Sequence, residues 1–263
     1  MVVDGKQIAA DIYNETATLV KALSRAPVLI AITCAPNFET QKYLELKKRR
    51  ATEVGITLRV VELPEMVTTK EAIDCVRAVL PDADGVVVQL PFPAHVDREA
   101  LLAAVPAAKD PDGFSYGTYE NACLPPVVGA IQAIAEHHQV SFFRKKIVVL
   151  GQGRLVGAPT ARFLRTTGAE VRALNQEDTN QEEAISHADI LVTGIGKAHF
   201  VIPAMVKPGV IIFDAGTSED GGVVVGDVHP DVAHVAALFT PVPGGIGPIT
   251  VAMLLRNLLT LVK

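Results

Sequence analysis

The feature that most constrains this chain is the alternation of short β-branched apolar runs with longer stretches of helical periodicity. A fully apolar strand needs cover on both faces. A helix between successive strands supplies that cover and returns the chain to the same sheet, so the pattern predicts βα units feeding parallel sheets. Two such series occur. The first predicts a helix over residues 6–23, a strand over 28–33, a helix over 39–54, a strand over 57–61, a helix after Thr69 and a strand over 85–88. It ends at Leu90-Pro91-Phe92-Pro93, where two prolines forbid further ladder pairing. The second predicts strands at 147–150, 170–174, 190–193 and 210–213, with helical or turn segments between them. Residues 130–138 read as a joining helix, and 249–262 as a long apolar-faced helix expected to return to the first domain. The expected fold is therefore α/β with two α/β domains, the second a Rossmann-like parallel sheet. Residues 1–140 and 248–263 are assigned to the first domain and 141–247 to the second.

The bulk numbers agree with such a fold and narrow its partners. A chain of 263 residues with 49% hydrophobic content has enough apolar material for two ordinary domains. Lys and Arg number 24 against 29 Asp and Glu, a net charge of -5, which offers no electrostatic footprint for nucleic acid or an anionic membrane. Cys34, Cys75 and Cys123 are odd in number and share no CxxC spacing, so neither a disulfide framework nor a zinc knuckle is suggested. The amino terminus lacks the charged start and apolar stretch of a secretory signal. No segment reaches the roughly 18 to 20 uninterrupted apolar residues of a membrane span. These features predict a soluble protein of the cytoplasm.

The strand at 147–150 runs directly into Gly151-Gln152-Gly153-Arg154-Leu155-Val156-Gly157. Glycines between a strand and a helix let backbone N–H groups approach a pyrophosphate at the helix amino terminus, although a ligand-free strand-to-helix turn also favours glycine. The spacing is one residue longer than the usual Rossmann fingerprint. After the next strand come Asn175, Gln176, Glu177, Asp178 and Thr179, where an adenosine ribose is normally read. Two carboxylates there repel a 2′-phosphate and accept hydrogen bonds from a free 2′-hydroxyl, which favours NAD over NADP. The same two residues equally suit a solvated turn and helix cap.

Candidate catalytic groups cluster in the first series. Tyr43 and Lys47 are four residues apart in a helical segment, about 40° apart around the axis, and so share a face. A phenol beside an amine can position it, but Lys47 also opens the basic run Lys47-Lys48-Arg49-Arg50, which alone reads as a solvated helix face. Gln89 follows the strand at 85–88 and so falls at the carboxyl end of a parallel strand, where open α/β sheets build their sites. Asp112 lies in Asp110-Pro111-Asp112-Gly113, a ready turn former as well as a candidate carboxylate. The segment Thr240-Pro241-Val242-Pro243-Gly244-Gly245-Ile246-Gly247-Pro248, just before an apolar helix, predicts a rigid loop that approaches a ligand or acts as a hinge.

Taken together and in order, these segments resemble the bifunctional methylenetetrahydrofolate dehydrogenase/cyclohydrolase family over nearly the whole chain. The matching pieces are Asp4-Gly5-Lys6, Tyr43 with Lys47, Val88-Gln89-Leu90-Pro91-Phe92-Pro93, Asp110 to Phe114, Val156-Gly157-Ala158-Pro159, Gly226-Asp227-Val228 and the Pro-Gly loop. The resemblance implies a folate cleft between two α/β domains. In that family a hydride passes from 5,10-methylene-tetrahydrofolate to NAD or NADP, and the 5,10-methenyl product is hydrolysed to 10-formyl-tetrahydrofolate. Lys47 is then expected to assist the water step and proton movement, Tyr43 to shape the site and position the lysine, Gln89 to tune Lys47, and Asp112 to hydrogen-bond the pterin. Leu90, Pro91, Pro243, Gly244 and Gly245 would also contact folate. Gly151, Gln152, Gly153, Arg154, Val156, Gly157, Asn175, Gln176, Thr193 and Gly194 would hold the dinucleotide. The resemblance also implies a homodimer in contact through the dinucleotide domain.

Several positions depart from the family pattern. Lys42 stands where a small hydroxyl usually precedes the tyrosine, Gln152 and Gly153 replace an Arg-Ser pair in the glycine loop, and Asn175 and Gln176 replace a His-Ser pair. The cofactor-side changes remove groups suited to an extra phosphate and so reinforce the NAD expectation. The family's Pro-Cys-Thr-Pro segment reads Asn121-Ala122-Cys123-Leu124-Pro125-Pro126 here, and the stretch between Phe114 and Gly129 is compressed. The alternative readings are a dehydrogenase without the hydrolase, a related two-domain dehydrogenase with another substrate, and a non-catalytic nucleotide-binding protein.

Overall fold

The structure, a computed structural model, describes residues 1–175 and 177–262. Close contacts divide the chain into two compact units: the first is Asp11–Pro126 with Val251–Lys263, and the second is Met1–Ala10 with Val127–Thr250. This division differs from the sequence-level one at residues 1–10, 127–140 and 248–250.

The unit of Asp11–Pro126 contains most of α1 (Gly5–Lys21), then β1 (Val28–Cys34), α2 (Phe38–Glu53), β2 (Thr57–Leu63), α3 (Thr69–Val79), β3 (Gly85–Val88) and α4 (Arg98–Ala103). Its strands form a parallel sheet in the order β2-β1-β3. Strand periodicity places alternate residues on opposite faces. Leu29, Ala31, Leu58 and Val87 join one core with Leu44 and Ala51 of α2. Ile30, Ile32, Val86 and Val88 join a second core with Ala72 and Val76 of α3 and Leu101 and Leu102 of α4. The helices begin where short polar side chains satisfy unpaired backbone N–H groups. Asn37 accepts from the Thr40 amide, and Thr68 and Glu71 form a capping box at α3.

The other unit carries α5 (Pro126–His137), β4 (Lys146–Leu150), α6 (Gly157–Thr166), β5 (Glu170–Leu174), α7 (Gln181–His187), β6 (Ile190–Thr193), β7 (Ile211–Asp214), the hairpin β8 (Ser218–Asp220) and β9 (Val223–Val225), β10 (Leu238–Phe239), and the start of α8 (Ile246–Leu261). The five-stranded parallel sheet runs β10-β7-β6-β4-β5. From β4 the chain steps outward to β5, then crosses back to β6 on the other side of β4. The carboxyl ends of β4 and β6 therefore flank a topological switch point, where an open α/β sheet leaves a crevice. The last strand runs one residue later than expected, over Ile211–Asp214, because the Val210 amide is committed to a turn with the carbonyl of Lys207. From Val251 onward α8 belongs to the first unit, where Leu254, Leu255 and Leu258 are buried against β1, β2 and α2.

Candidate active site

In the unit of β1, one stripe of α2 faces inward at Thr40, Leu44, Lys47 and Ala51, the three-and-four spacing of a helical face. This stripe separates Lys47 from its basic neighbours: Lys47 is 6% exposed, whereas Lys48 and Arg49 lie on the solvent side. Burying an ammonium requires partners. Lys47 Nζ donates to Gln89 Oε1 at 2.9 Å and lies 4.7 Å from the centre of the Tyr43 ring. The amide of Gln89 cannot turn over without loss, because its Nε2 donates to the carbonyl of Leu90 at 2.9 Å. Its backbone N–H donates to Ile32 at the end of β1, so β3 delivers this side chain at the carboxyl edge of the sheet. The Leu90–Pro91 peptide that follows is cis.

Asp112 belongs to the same group. Burial pushes its carboxyl above the usual range, and the positive charge of Lys47 acts in the opposite direction. The loop that carries it is built from its neighbours. The Gly113 amide bonds back to the Asp110 carbonyl, and Gly113 has φ +68, the left-handed region. A Cβ on Gly113 would lie 2.5 Å from the carbonyl oxygen of Cys123, so this turn is pressed against the segment 123–125. Asp110 is itself buried and accepts from the Ser115 amide. Burial raises its carboxyl to about 6, against the Ser115 hydrogen bond and with a smaller push from Asp112. Thus Tyr43 and Gln89 contact Lys47, Asp112 lies within its electrostatic reach, and Leu90 and Pro91 follow Gln89 in the chain.

One residue that positions this group was missed in the sequence. Asn257, 9% exposed in α8, donates both hydrogens of its amide, to the carbonyls of Pro111 at 2.9 Å and Leu124 at 2.8 Å. It thereby ties the Asp110–Gly113 turn to the shortened 121–126 segment. Its signal was an amide in the apolar run Leu254-Leu255-Arg256-Asn257-Leu258-Leu259, on the face that should be hydrophobic.

In the second unit, the predicted dinucleotide residues collect at the carboxyl edge of the five-stranded sheet. The Gly151 amide donates to Leu174 and that of Gly194 to Leu150, which ties together the ends of β4, β5 and β6. Gly151 has φ +83, and a Cβ on Gly157 would fall 1.7 Å from the Gly151 carbonyl oxygen, so the turn requires both glycines for its own packing. Gly153 differs: a Cβ there would meet nothing within 4 Å, and its backbone is not left-handed. Protein packing does not require that glycine, whereas a close ligand would. Val156, at the cap of α6, offers no side-chain hydrogen bond; the Ala158 amide donates to the Gly153 carbonyl instead, and Pro159 has no N–H. Gln152 turns back, its Nε2 donating to the Gly151 carbonyl at 2.7 Å, and Arg154 is exposed. A pocket opens here, lined by Gly151, Leu174, Asn175, Ile195, Lys197 and Phe200.

Near this pocket the acidic pair is divided. Asp178 Oδ2 accepts from the Asn175 amide at 2.6 Å and closes the turn after β5, whereas Glu177 is exposed. Gln176 lies outside the described residues. Pro243, Gly244 and Gly245 belong to this second unit, in the loop after β10. The Gly5 amide donates to the Gly244 carbonyl, and a Cβ on Gly5 would lie 1.8 Å from the Gly245 carbonyl oxygen. The Asp4-Gly5-Lys6 motif and the Pro-Gly loop are therefore one packed structure.

Comparison with known proteins places both units in one family. Residues 3–112 match the tetrahydrofolate dehydrogenase/cyclohydrolase catalytic domain, and residues 125–263 match the NAD(P)-binding domain of the same enzymes. The chain belongs to the tetrahydrofolate dehydrogenase/cyclohydrolase family. A curated relative, the bifunctional protein FolD of Streptococcus gordonii, is 34% identical over 269 residues, covering 97% of this chain and 95% of the relative. Among solved structures, the bifunctional FolD of Campylobacter jejuni has a TM-score of 0.95 at 29% identity, covering 99% of this chain and 98% of that one. The FolD of Trypanosoma brucei, complexed with NADP cofactor and inhibitor, has a TM-score of 0.91 at 31% identity, covering 99% and 96%. The second unit of this family member fits a dinucleotide on its own geometry: open space over Gly153 and a pocket at the switch point.

Proposed function

We infer that this chain oxidises 5,10-methylene-tetrahydrofolate to 5,10-methenyl-tetrahydrofolate with NAD(P), and hydrolyses that product to 10-formyl-tetrahydrofolate. The observation that carries this reading is a buried lysine, held by Gln89 at 2.9 Å and facing Tyr43 and Asp112, in a chain that belongs to this family. A bound nicotinamide dinucleotide supplies the hydride acceptor, and Gly151, Gly153, Gly157, Asn175, Thr193 and Gly194 are proposed to hold it, with Gln152, Arg154 and Val156 beside them. The residues of the first unit manage the folate. Asp112, its carboxyl raised by burial, can hydrogen-bond a pterin edge through its carboxyl oxygens. Tyr43 walls one side of Lys47, and Gln89 fixes the direction of its Nζ without neutralising it.

In the hydrolytic step, water oxygen adds to the methenyl carbon and gives up one proton, which Lys47 Nζ takes or relays. The hydroxyl of the resulting adduct then gives up its own proton as the bond from that carbon to N5 breaks and N5 is protonated, leaving the formyl group on N10. The balance is one water consumed and one proton released, with no redox change. Retention of Lys47 favours the two-step enzyme over a dehydrogenase alone. Pro243, Gly244 and Gly245 are proposed to contact folate from the loop after β10.

We propose NAD as the preferred cofactor. Gln152 folds back on its own loop, Asn175 replaces a cationic position and Glu177 adds a negative charge, all unfavourable to a 2′-phosphate. Lys197, whose Nζ lies 4.6 Å from the Phe200 ring beside the pocket, is the cation that would argue for NADP. A homodimer is proposed through the second unit, where β5 is the outer strand of the sheet and is paired on one side among the described residues. The proposed location is the cytoplasm; no helix among the described residues is long and apolar enough to cross a membrane.

The test is incubation with 5,10-methylene-tetrahydrofolate and either NAD or NADP, following methenyl-folate absorbance and then its decay by hydrolysis. The expected result is both steps, with a higher kcat/KM for NAD. No turnover with either dinucleotide would overturn the reading, and a higher kcat/KM for NADP would overturn the cofactor preference alone.

A further inference from the structure

The Gly226-Asp227-Val228 motif matches the family yet has no role in the chemistry above, and the structure gives it one. β6 and β7 pair in register with Thr193 opposite Asp214, so both strands deliver these residues to the carboxyl edge of the sheet together. Asp227, fully buried, reaches this edge from the segment after β9. Its Oδ2 accepts from Thr193 Oγ1 at 2.7 Å and from the Ile195 amide at 2.8 Å, and its Oδ1 accepts from the Lys197 amide at 2.8 Å. One carboxylate thus fixes a side chain and two alternate amides in the stretch Thr193–Lys197, where Ile195 and Lys197 wall the pocket beside Gly151.

Asp227 is held in turn by Asp214. The carboxylate of Asp214 accepts from the amides of Gly216 at 2.9 Å, Asp227 at 3.2 Å and Val228 at 2.9 Å. The backbone N–H of Asp214 donates to Thr240 Oγ1 at 2.7 Å, at the root of the Pro-Gly loop. Bare backbone lets the two carboxylates come this close. A Cβ on Gly216 would lie 2.2 Å from the carboxyl carbon of Asp227, and one on Gly226 would lie 2.0 Å from Asp214 Oδ2. The loops after β6, β7, β9 and β10 are therefore joined by one buried hydrogen-bond chain.

We propose that Asp227 is a positioning residue for the dinucleotide, holding the Thr193–Lys197 loop in its binding shape, with Asp214 locking Asp227 in place. The proposal rests on the reading of the second unit as the dinucleotide site. All three contacts at the Asp227 carboxylate are acceptances, two on one oxygen and one on the other. An amide in its place must turn its NH₂ toward one of these donors, whichever way it faces.

The experiment compares the parent with Asp227→Asn and Thr193→Val, using isothermal titration calorimetry with NAD and NADP and steady-state kinetics in each substrate. For Asp227→Asn, the dinucleotide Kd and KM should rise at least tenfold, while the KM for 5,10-methylene-tetrahydrofolate stays within about twofold. Thr193→Val removes only one donor and should shift the same constants in the same direction by a smaller factor. A merely structural role would lower the active fraction and leave both KM values alone. That result, or an unchanged dinucleotide Kd in either folded variant, would overturn the proposal. If Asp227→Asn does not fold, Asp214→Asn, which unlocks Asp227 at a residue not placed against the dinucleotide, decides: a raised dinucleotide Kd is expected, and an unchanged one overturns the proposal. A parent that binds neither dinucleotide would instead overturn the reading on which the proposal rests.

Discussion

Replacing Asn257 by Leu tests whether α8 sets the geometry of the Asp112 loop. The two side chains share one branched heavy-atom skeleton, with methyl groups in leucine replacing the amide oxygen and nitrogen, so the change removes polarity and adds a little bulk. Two hydrogen bonds are lost. The one to Pro111 is buried, and its carbonyl, left without a donor, costs about 1–3 kcal/mol. The one to Leu124 is partly buried and water can take over, so its loss costs about 0.5–1.5 kcal/mol. Leucine is the better helix former by a few tenths of a kcal/mol, a small offset. The sum is a loss of about 1–4 kcal/mol in urea-unfolding free energy.

The functional consequence follows from the covalent chain. Pro111 precedes Asp112 directly, so freeing its carbonyl lets the carboxyl drift from Lys47, and the KM for 5,10-methylene-tetrahydrofolate should rise about tenfold or more. Asn257→Asp separates polarity from hydrogen bonding. It keeps an oxygen but points a carboxylate at two carbonyls, and should be at least as damaging as leucine. Asn257→Leu unfolding within 0.5 kcal/mol of the parent, with an unchanged folate KM, would show that the amide only fills space.

Three further outcomes are expected. Lys47→Met should lower the rate of methenyl-folate hydrolysis by about 10²–10⁴ while the protein stays folded by circular dichroism, and an undiminished rate would reassign the lysine. Gly157→Ala should weaken both folding and dinucleotide binding because of the 1.7 Å approach to Gly151, whereas Gly153→Ala should weaken dinucleotide binding alone; unfolding and calorimetry of both variants check the contrast. Burial raises the Asp214 carboxyl to about 7 from 3.8, against the three amides it accepts from and with a smaller push from Asp227. Because the folded state then holds this proton more tightly than the unfolded state, its stability contribution is full below about pH 4. It is lost as pH rises toward 7, by at most about 4 kcal/mol. Asp214→Asn should therefore flatten the fall in urea stability between pH 4 and 7, and parallel curves for the two proteins would contradict the burial argument.

The sequence made the strands legible wherever burial on both faces forced an unbroken apolar run. Gly85–Val88 and Ile190–Thr193 were placed to the residue in this way, and so was Glu170–Leu174, although its run is broken by Glu170 and Arg172 and only Leu174 is buried. It was weakest where neither burial nor period marks the chain. The hairpin of Ser218–Asp220 and Val223–Val225 is largely exposed, and Leu238–Phe239 is too short to show alternation. Lys47 shows a further limit: local composition reads its basic run as a solvated face. Only the helical stripe of Thr40, Leu44 and Ala51 turns that one lysine inward while its neighbours stay in water.

The departures at the dinucleotide end have a different physical character. Gln152, Asn175 and Glu177, proposed to flank the dinucleotide, are half-buried or exposed, and the sheet does not depend on them. Gly151, Gly157, Gly216 and Gly226 are fixed by approaches of 1.7 to 2.8 Å to a hypothetical Cβ, so the chain cannot change them without rebuilding the loop. Asp214 and Asp227 belong with this second group, since each carboxylate organises three donors in a space that excludes water. Cofactor preference can therefore shift through the exposed group while the binding shape is held by the buried one. This separation predicts that Glu177→Arg should change the ratio of NAD to NADP binding, leaving Tm and total folate turnover unaltered. Calorimetry with both dinucleotides checks it: an unchanged ratio would remove Glu177 from the basis of the preference, leaving Gln152 and Asn175 to carry it.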